Sequence, residues 1–160
     1  MKLSFILIAI AFSLATKAQV TKVYLKASGL TCSMCSNSIH KALKTLDFVE
    51  AIEADIKTYT FELSFKTNIS VDFDKIKKKV EDAGFSVSSF TAFVNFNHVQ
   101  VIENKPVTTG GYSFVFANLK EPLLNGIKAV KILNKGFVSQ KEYKQISSPA
   151  FAPGIYHATI

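Results

Sequence analysis

Two cysteines, Cys32 and Cys35, are the only ones in this 160-residue chain, and just Ser33 and Met34 separate them. A disulfide between them would close too small a loop to staple a fold, so their use is chemical. Two sulfurs at this spacing can converge on one soft metal ion, or they can cycle between dithiol and disulfide. The stretch Gly29-Leu30-Thr31-Cys32-Ser33-Met34-Cys35 lies where a strand pattern gives way to a helical one. Backbone N–H groups and the dipole at a helix N-terminus favour negative charge, so this position favours thiolate, the form that binds metal.

The other residues narrow the choice of ion. His40 is five positions past Cys35, about 140° round a helix from it, and so points elsewhere. His98 and His157 fall in a distant part of the sequence. A closed structural zinc site wants four ligands, which disfavours zinc here. Copper(I) suits two soft thiolates at low coordination number, and mercury(II) is soft in the same way. Met34 between the cysteines reads as a loop side chain that covers apolar surface, not as a third ligand.

The rival use of the pair is thiol-disulfide oxidoreduction. Such a centre usually faces a cis-proline. All four prolines, at 106, 122, 149 and 153, lie in the C-terminal part of the chain, and no aromatic residue precedes the motif.

The elements that must position the cysteines are legible in the hydrophobic periodicity. Val23, Leu25 and Ala27 alternate with Tyr24 and Lys26, as in a strand with one buried face. Cys35, Ile39, Ala42, Leu43 and Leu46 then recur at helical spacing. Ile52, Ala54 and Ile56, followed by Phe61, Leu63 and Phe65, predict an antiparallel hairpin across Lys57-Thr58-Tyr59. Phe73, Ile76, Val80 and Ala83 form the stripe of a second helix, with Ser70 or Asp72 to cap its start and Gly84 just beyond its end. A last strand opens at Phe85. The order β-α-β-β-α-β predicts an α+β, ferredoxin-like domain over residues 19–93, with both helices on one face of a four-stranded antiparallel sheet.

The loop and this order of elements resemble the heavy-metal-associated (HMA) domain of copper chaperones and of copper-transporting ATPases, over roughly residues 21–93. Gly29-Leu30-Thr31-Cys32-Ser33-Met34-Cys35 is similar to the family's Gly-Met-Thr-Cys-x-x-Cys loop, and Glu81-Asp82-Ala83-Gly84-Phe85 is similar to the end of its second helix. Exported members also include periplasmic mercury-binding proteins. The resemblance implies that Cys32 and Cys35 are the metal ligands and that Leu30 and Thr31 shape the loop, Leu30 standing where methionine is usual and filling the same apolar slot. Phe85 stands where bacterial copper chaperones often carry tyrosine and eukaryotic ones lysine. The implied partner is a metal-accepting protein such as a copper transporter or cuproprotein.

Residues 94–160 read as a small β-rich unit. Strand-like runs at His98 to Ile102, Tyr112 to Phe116, Ile127 to Leu133 and Ile155 to Thr159 are separated by Gly110-Gly111, Asn125-Gly126 and Asn134-Lys135-Gly136. Ser139 and Glu142 have capping-box spacing and predict one short helix, Gln140 to Ile146. Tyr112, Phe114 and Phe116 alternate as core residues do. A unit of this length has a marginal core of its own and is expected to pack on the first domain, a small OB-like barrel being one form it could take.

Residues 1–18 read as a signal peptide. Lys2 precedes the almost wholly apolar Leu3 to Leu14, and Ala15-Thr16-Lys17-Ala18 supplies small residues for cleavage after Ala18. A dozen apolar residues fall short of the roughly 20 needed to span a bilayer. The expected product is periplasmic or secreted, without stable membrane insertion. Removing Lys2 and Lys17 leaves 17 lysines against 12 acidic residues, a net charge of +5. The chain has no arginine, so bidentate guanidinium contacts to phosphates and bases are missing, which weakens a nucleic-acid reading, and no nucleic-acid partner is expected. Lys75, Lys77, Lys78 and Lys79 read first as a solvated helix face and second as a docking patch for an acidic partner.

Overall fold

The computed structural model describes residues 20–30, 33–146 and 154–160. The leader predicted over residues 1–18 lies outside the described residues, as does Cys32. Strand β1 (Val20–Ser28) buries Val23, Leu25 and Ala27 on one face, as their alternation demands. Helix α1 (Ser33–Lys44) follows, then β2 (Val49–Asp55), β3 (Thr60–Phe65), α2 (Phe73–Asp82) and β4 (Ser86–Gln100). Strand β1 pairs antiparallel with both β3 and β4, and β2 pairs with β3, so the order β2-β3-β1-β4 is that of the predicted ferredoxin-like sheet.

Both helices contribute apolar stripes to the core, Ile39 and Leu43 from α1 and Phe73, Ile76 and Val80 from α2. Asp72 caps α2 by accepting a hydrogen bond from the Lys75 N–H at 3.0 Å. At the other end Phe85 N–H donates to Val80 O and Gly84 N–H to Glu81 O. This is a Schellman stop, with Gly84 in the left-handed region at φ +88°. The stop turns the chain sharply and delivers Phe85 beside the start of β4. Lys75 and Lys78 pair along α2 with Asp72 and Asp82, at 3.9 and 2.9 Å, as residues of a solvated helix face do, whereas Lys77, paired with Asp74 at 2.8 Å, lies over the ring of Phe137.

Residue 93 lies inside β4, which runs on to Gln100 and pairs antiparallel with β7 (Leu123–Ile132). The remaining strands, β5 (Pro106–Thr109), β6 (Tyr112–Phe116) and β8 (Ile155–Thr159), continue the same sheet in the order β4-β7-β8-β6-β5. Strand β8 is parallel to β6 and antiparallel to β7. The sheet is open, with β2 and β5 as its edges, which corrects the expectation of an OB-like barrel. The short helix α3 (Gln140–Gln145) is capped by Ser139, which accepts from the Glu142 N–H.

The C-terminal strands pack on the HMA-like half through aromatic side chains. Tyr112 stacks on Phe73 with centroids 4.8 Å apart, and its hydroxyl donates to Val71 O at 2.7 Å. Phe137 meets Phe90 edge-on at 5.1 Å, and Tyr156 donates to Asp74 at 2.9 Å. Phe114 and Phe116 are fully buried, so the alternation of residues 112–116 marks core as expected. A single cluster of buried residues runs from Val20 to Ala158. Among the described residues no helix is long and apolar enough to cross a membrane.

Candidate metal centre

The cysteine loop is held at both ends. Strand β1 ends at Ser28, and Gly29 follows with φ +86°, a conformation that L side chains rarely adopt, so glycine is needed for the chain to leave the sheet here. Leu30, 9% exposed, then pins the loop into the core. This is the apolar role expected of a residue in the usual methionine slot. Thr31 and Cys32 lie outside the described residues. Helix α1 opens at Ser33, which puts Cys35 in its first turn, half-buried and packed against the core.

Charge along α1 suits an anion at its start. Its first turn holds no acidic residue, while Lys41 and Lys44 occupy its last turn, where they complement the negative end of the dipole. Met34 is 78% exposed and so points to solvent. Covering nearby apolar surface, the role expected of it, is not what it does in this conformation. His40 lies along α1, His98 at the irregularity in β4 and His157 in β8, all apart from the loop. Among the described residues no group of three His, Cys, Asp or Glu side chains could hold a metal ion. Of the two ligands expected, the structure therefore places Cys35, at a helix start beside the core, where a soft ion bound by a partner thiolate could be held with one side shielded.

Two features at this end of the molecule escaped the sequence. Ser36, 4% exposed, has a buried hydroxyl with no hydrogen-bond partner among the described residues. It shares the buried stripe of Ile39 and Leu43, so helical spacing marks its position, but a serine does not stand out as core. The second feature is the contact made by Phe85, a residue the sequence marked without placing it against the loop. A Cβ on Gly29 would lie 3.9 Å from Phe85 Cδ1, so the end of α2 abuts the base of the loop.

The HMA family model, described as heavy-metal-associated domain, matches residues 25–86, a span that contains both cysteines. A probable copper-exporting P-type ATPase of Archaeoglobus fulgidus is 32% identical over 83 residues, which is 52% of this chain and 10% of that protein. The probable copper-transporting ATPase HMA5 of Arabidopsis thaliana is 33% identical over 69 residues, 43% of this chain and 7% of that protein. The chain thus spans a tenth or less of the length of these curated relatives. Among solved structures, the copper transporter domain Ccc2a of yeast, studied in apo and Cu(I)-loaded states, is 30% identical, with a TM-score of 0.37 over 42% of this chain and 90% of that domain. Residues 25–86 thus match the heavy-metal-associated domain family.

Proposed function

We propose that this protein is an exported carrier of copper(I), which it holds between Cys32 and Cys35 and passes on by ligand exchange. The observation that carries this reading is the family match over residues 25–86, a span whose sequence includes the Cys-x-x-Cys pair and in which Cys35 lies in the first turn of a helix, packed against the core. Copper is favoured over zinc because the chain offers two clustered soft donors in place of a four-ligand set. The curated relatives, both named for copper export or transport, support the same choice. Mercury(II) is the other soft ion the pair would accept.

The mechanism needs no catalysis. A thiol or thioether of the acceptor enters the open coordination position, a mixed complex forms, and one protein sulfur after another is released. The ion is never free, and relative affinity sets the direction of transfer. The acceptor is a copper transporter or cuproprotein. Export rests on the residues of the predicted leader, and it exposes the pair to oxidation, so metal occupancy depends on keeping the two thiols reduced.

The test is an anaerobic titration of reduced protein with copper(I) against a chromophoric chelator, alongside the C32S/C35S variant. One ion per chain, lost in the variant, is expected. Equal binding by both proteins would overturn the reading.

A further inference from the structure

Strand β4 is 15 residues long, and its far end lies beyond the family match. Past Val94 it pairs, among the described residues, with β7 and not with β1. The ladder continues after the last strand pair, because Val101 N–H donates to Pro122 O at 2.7 Å. Residues 95–102 and 122–127 thus form a two-stranded ribbon at the end of the sheet.

One face of this ribbon is apolar and open. Leu123, Asn125 and Ile127 alternate along β7 with the buried Leu124 and with Gly126, so they share the face turned away from the core. Their partners across the ladder, Gln100 opposite Leu123 and Asn95 opposite Ile127, share it too. Ile102 follows Gln100 on that side, with the buried Val101 between them. Ile102, Leu123 and Ile127 are 58%, 51% and 58% exposed, three of the seven exposed large apolar side chains among the described residues. Their concentration on one short ribbon marks a contact surface.

Charge selects what covers it. The residues that share the face with the apolar side chains, Asn95, Gln100 and Asn125, are neutral amides. Two exposed lysines stand beside it. Lys105 N–H donates to Ile102 O at 3.1 Å, and Lys120 is two residues before Pro122. Neither forms an ion pair among the described residues. The nearby carboxylates are engaged, Glu103 by the Asn118 N–H at 2.6 Å and Glu121 by Lys128 at 3.5 Å. Apolar side chains flanked by unpaired lysines suit an anionic lipid surface, since the former enter the acyl boundary while the latter reach the headgroups. A second copy on the same patch would bring the unpaired lysines of both chains together, which disfavours it.

We propose that this ribbon docks the protein peripherally on an anionic membrane surface, with Ile102, Leu123 and Ile127 at the acyl boundary and Lys105 and Lys120 on headgroup phosphates. The start of β4 lies beside the cysteine loop, where Ser86 O accepts from the Ser28 hydroxyl at 3.4 Å. Docking by the far end of that strand therefore leaves the loop free to meet an acceptor. That role rests on the carrier reading above, whereas lipid binding does not.

The test is flotation with vesicles of equimolar phosphatidylglycerol and phosphatidylcholine, against vesicles of phosphatidylcholine alone. The protein used lacks residues 1–18, whose apolar run would itself partition, and every described element begins at Val20 or later. Binding to the anionic vesicles is expected, weakened about tenfold or more both in L123T/I127T and in K105E/K120E. The replaced side chains are exposed and threonine suits a strand, so the fold should survive, which far-ultraviolet circular dichroism checks. C32S/C35S should float like the wild type, so failure of the copper reading would leave this result standing. Absence of flotation, equal flotation with both vesicles, or no effect of either variant would overturn the proposal. So would a dimer in sedimentation equilibrium that L123T/I127T dissociates, because a second copy would then cover the face.

Discussion

Phe85 Cδ1 lies 3.9 Å from the point a Cβ on Gly29 would occupy, so the residue that follows the Schellman stop of α2 braces the glycine that opens the cysteine loop. At that distance a methyl group fits in ordinary contact. What forbids it is the backbone, since Gly29 sits at φ +86°. G29A should therefore lose about 1–2 kcal/mol, the cost of a side chain in a left-handed conformation. Urea unfolding measures the loss, and copper(I) affinity should fall with it because the loop starts at this residue.

The Ser36 hydroxyl is buried without a partner among the described residues, a situation that costs about 1–3 kcal/mol. S36A removes the oxygen at nearly constant volume. It should raise the urea midpoint, with a gain of about 1 kcal/mol, and leave copper(I) stoichiometry unchanged. A lower midpoint would mean that the hydroxyl is paired in solution.

Tyr112 links the two parts of the sequence, donating to Val71 O at 2.7 Å while its ring stacks on Phe73. Y112F keeps the stacking but leaves a buried carbonyl short of a donor. The expected loss is about 1 kcal/mol in a single cooperative transition. If the circular-dichroism and tyrosine-fluorescence transitions separated, the C-terminal strands would be unfolding independently of the metal-binding half.

Alkaline pH should act through Tyr156. Burial, and then the Asp74 carboxylate to which it donates, push its hydroxyl above the ordinary value of 10. A tyrosine in the unfolded chain ionises near 10, so above that pH the folded state holds more protons than the unfolded one, and stability falls as pH rises. Below about pH 10 this contribution is fully present. In Y156F the decline in urea midpoint between pH 9 and 11 should be shallower than in the wild type.

These positions also show which parts of the structure the sequence revealed. Alternation at Val23, Leu25 and Ala27, helical stripes at Ile39 and at Phe73, and Gly84 as a stop are local signals, and the elements they predict form. The runs at 112–116 and 155–159 match β6 and β8 residue for residue. The unity of the sheet was hidden because β4 is irregular between Phe96 and Val99, where His98 takes φ +48°, so one long strand reads as two short ones. Strand β5 was missed because it is short and begins with Pro106, a residue tolerated at sheet edges. Nothing local marks β8 as the strand that lies between β7 and β6, because that pairing is settled by distant side chains such as Tyr156 against Phe73. Cys32 and Cys35 stand out in the sequence by type and spacing alone, whereas the approach of Phe85 to Gly29 depends on how separate segments pack.

The most direct measurement of the central claim is X-ray absorption at the copper edge on the copper(I)-loaded protein, with C35S for comparison. A first shell made of sulfur, with two protein donors, is predicted for the wild type, and C35S should lose one of them. A shell containing nitrogen or oxygen in the wild type, or a spectrum unchanged in C35S, would contradict a metal held between Cys32 and Cys35.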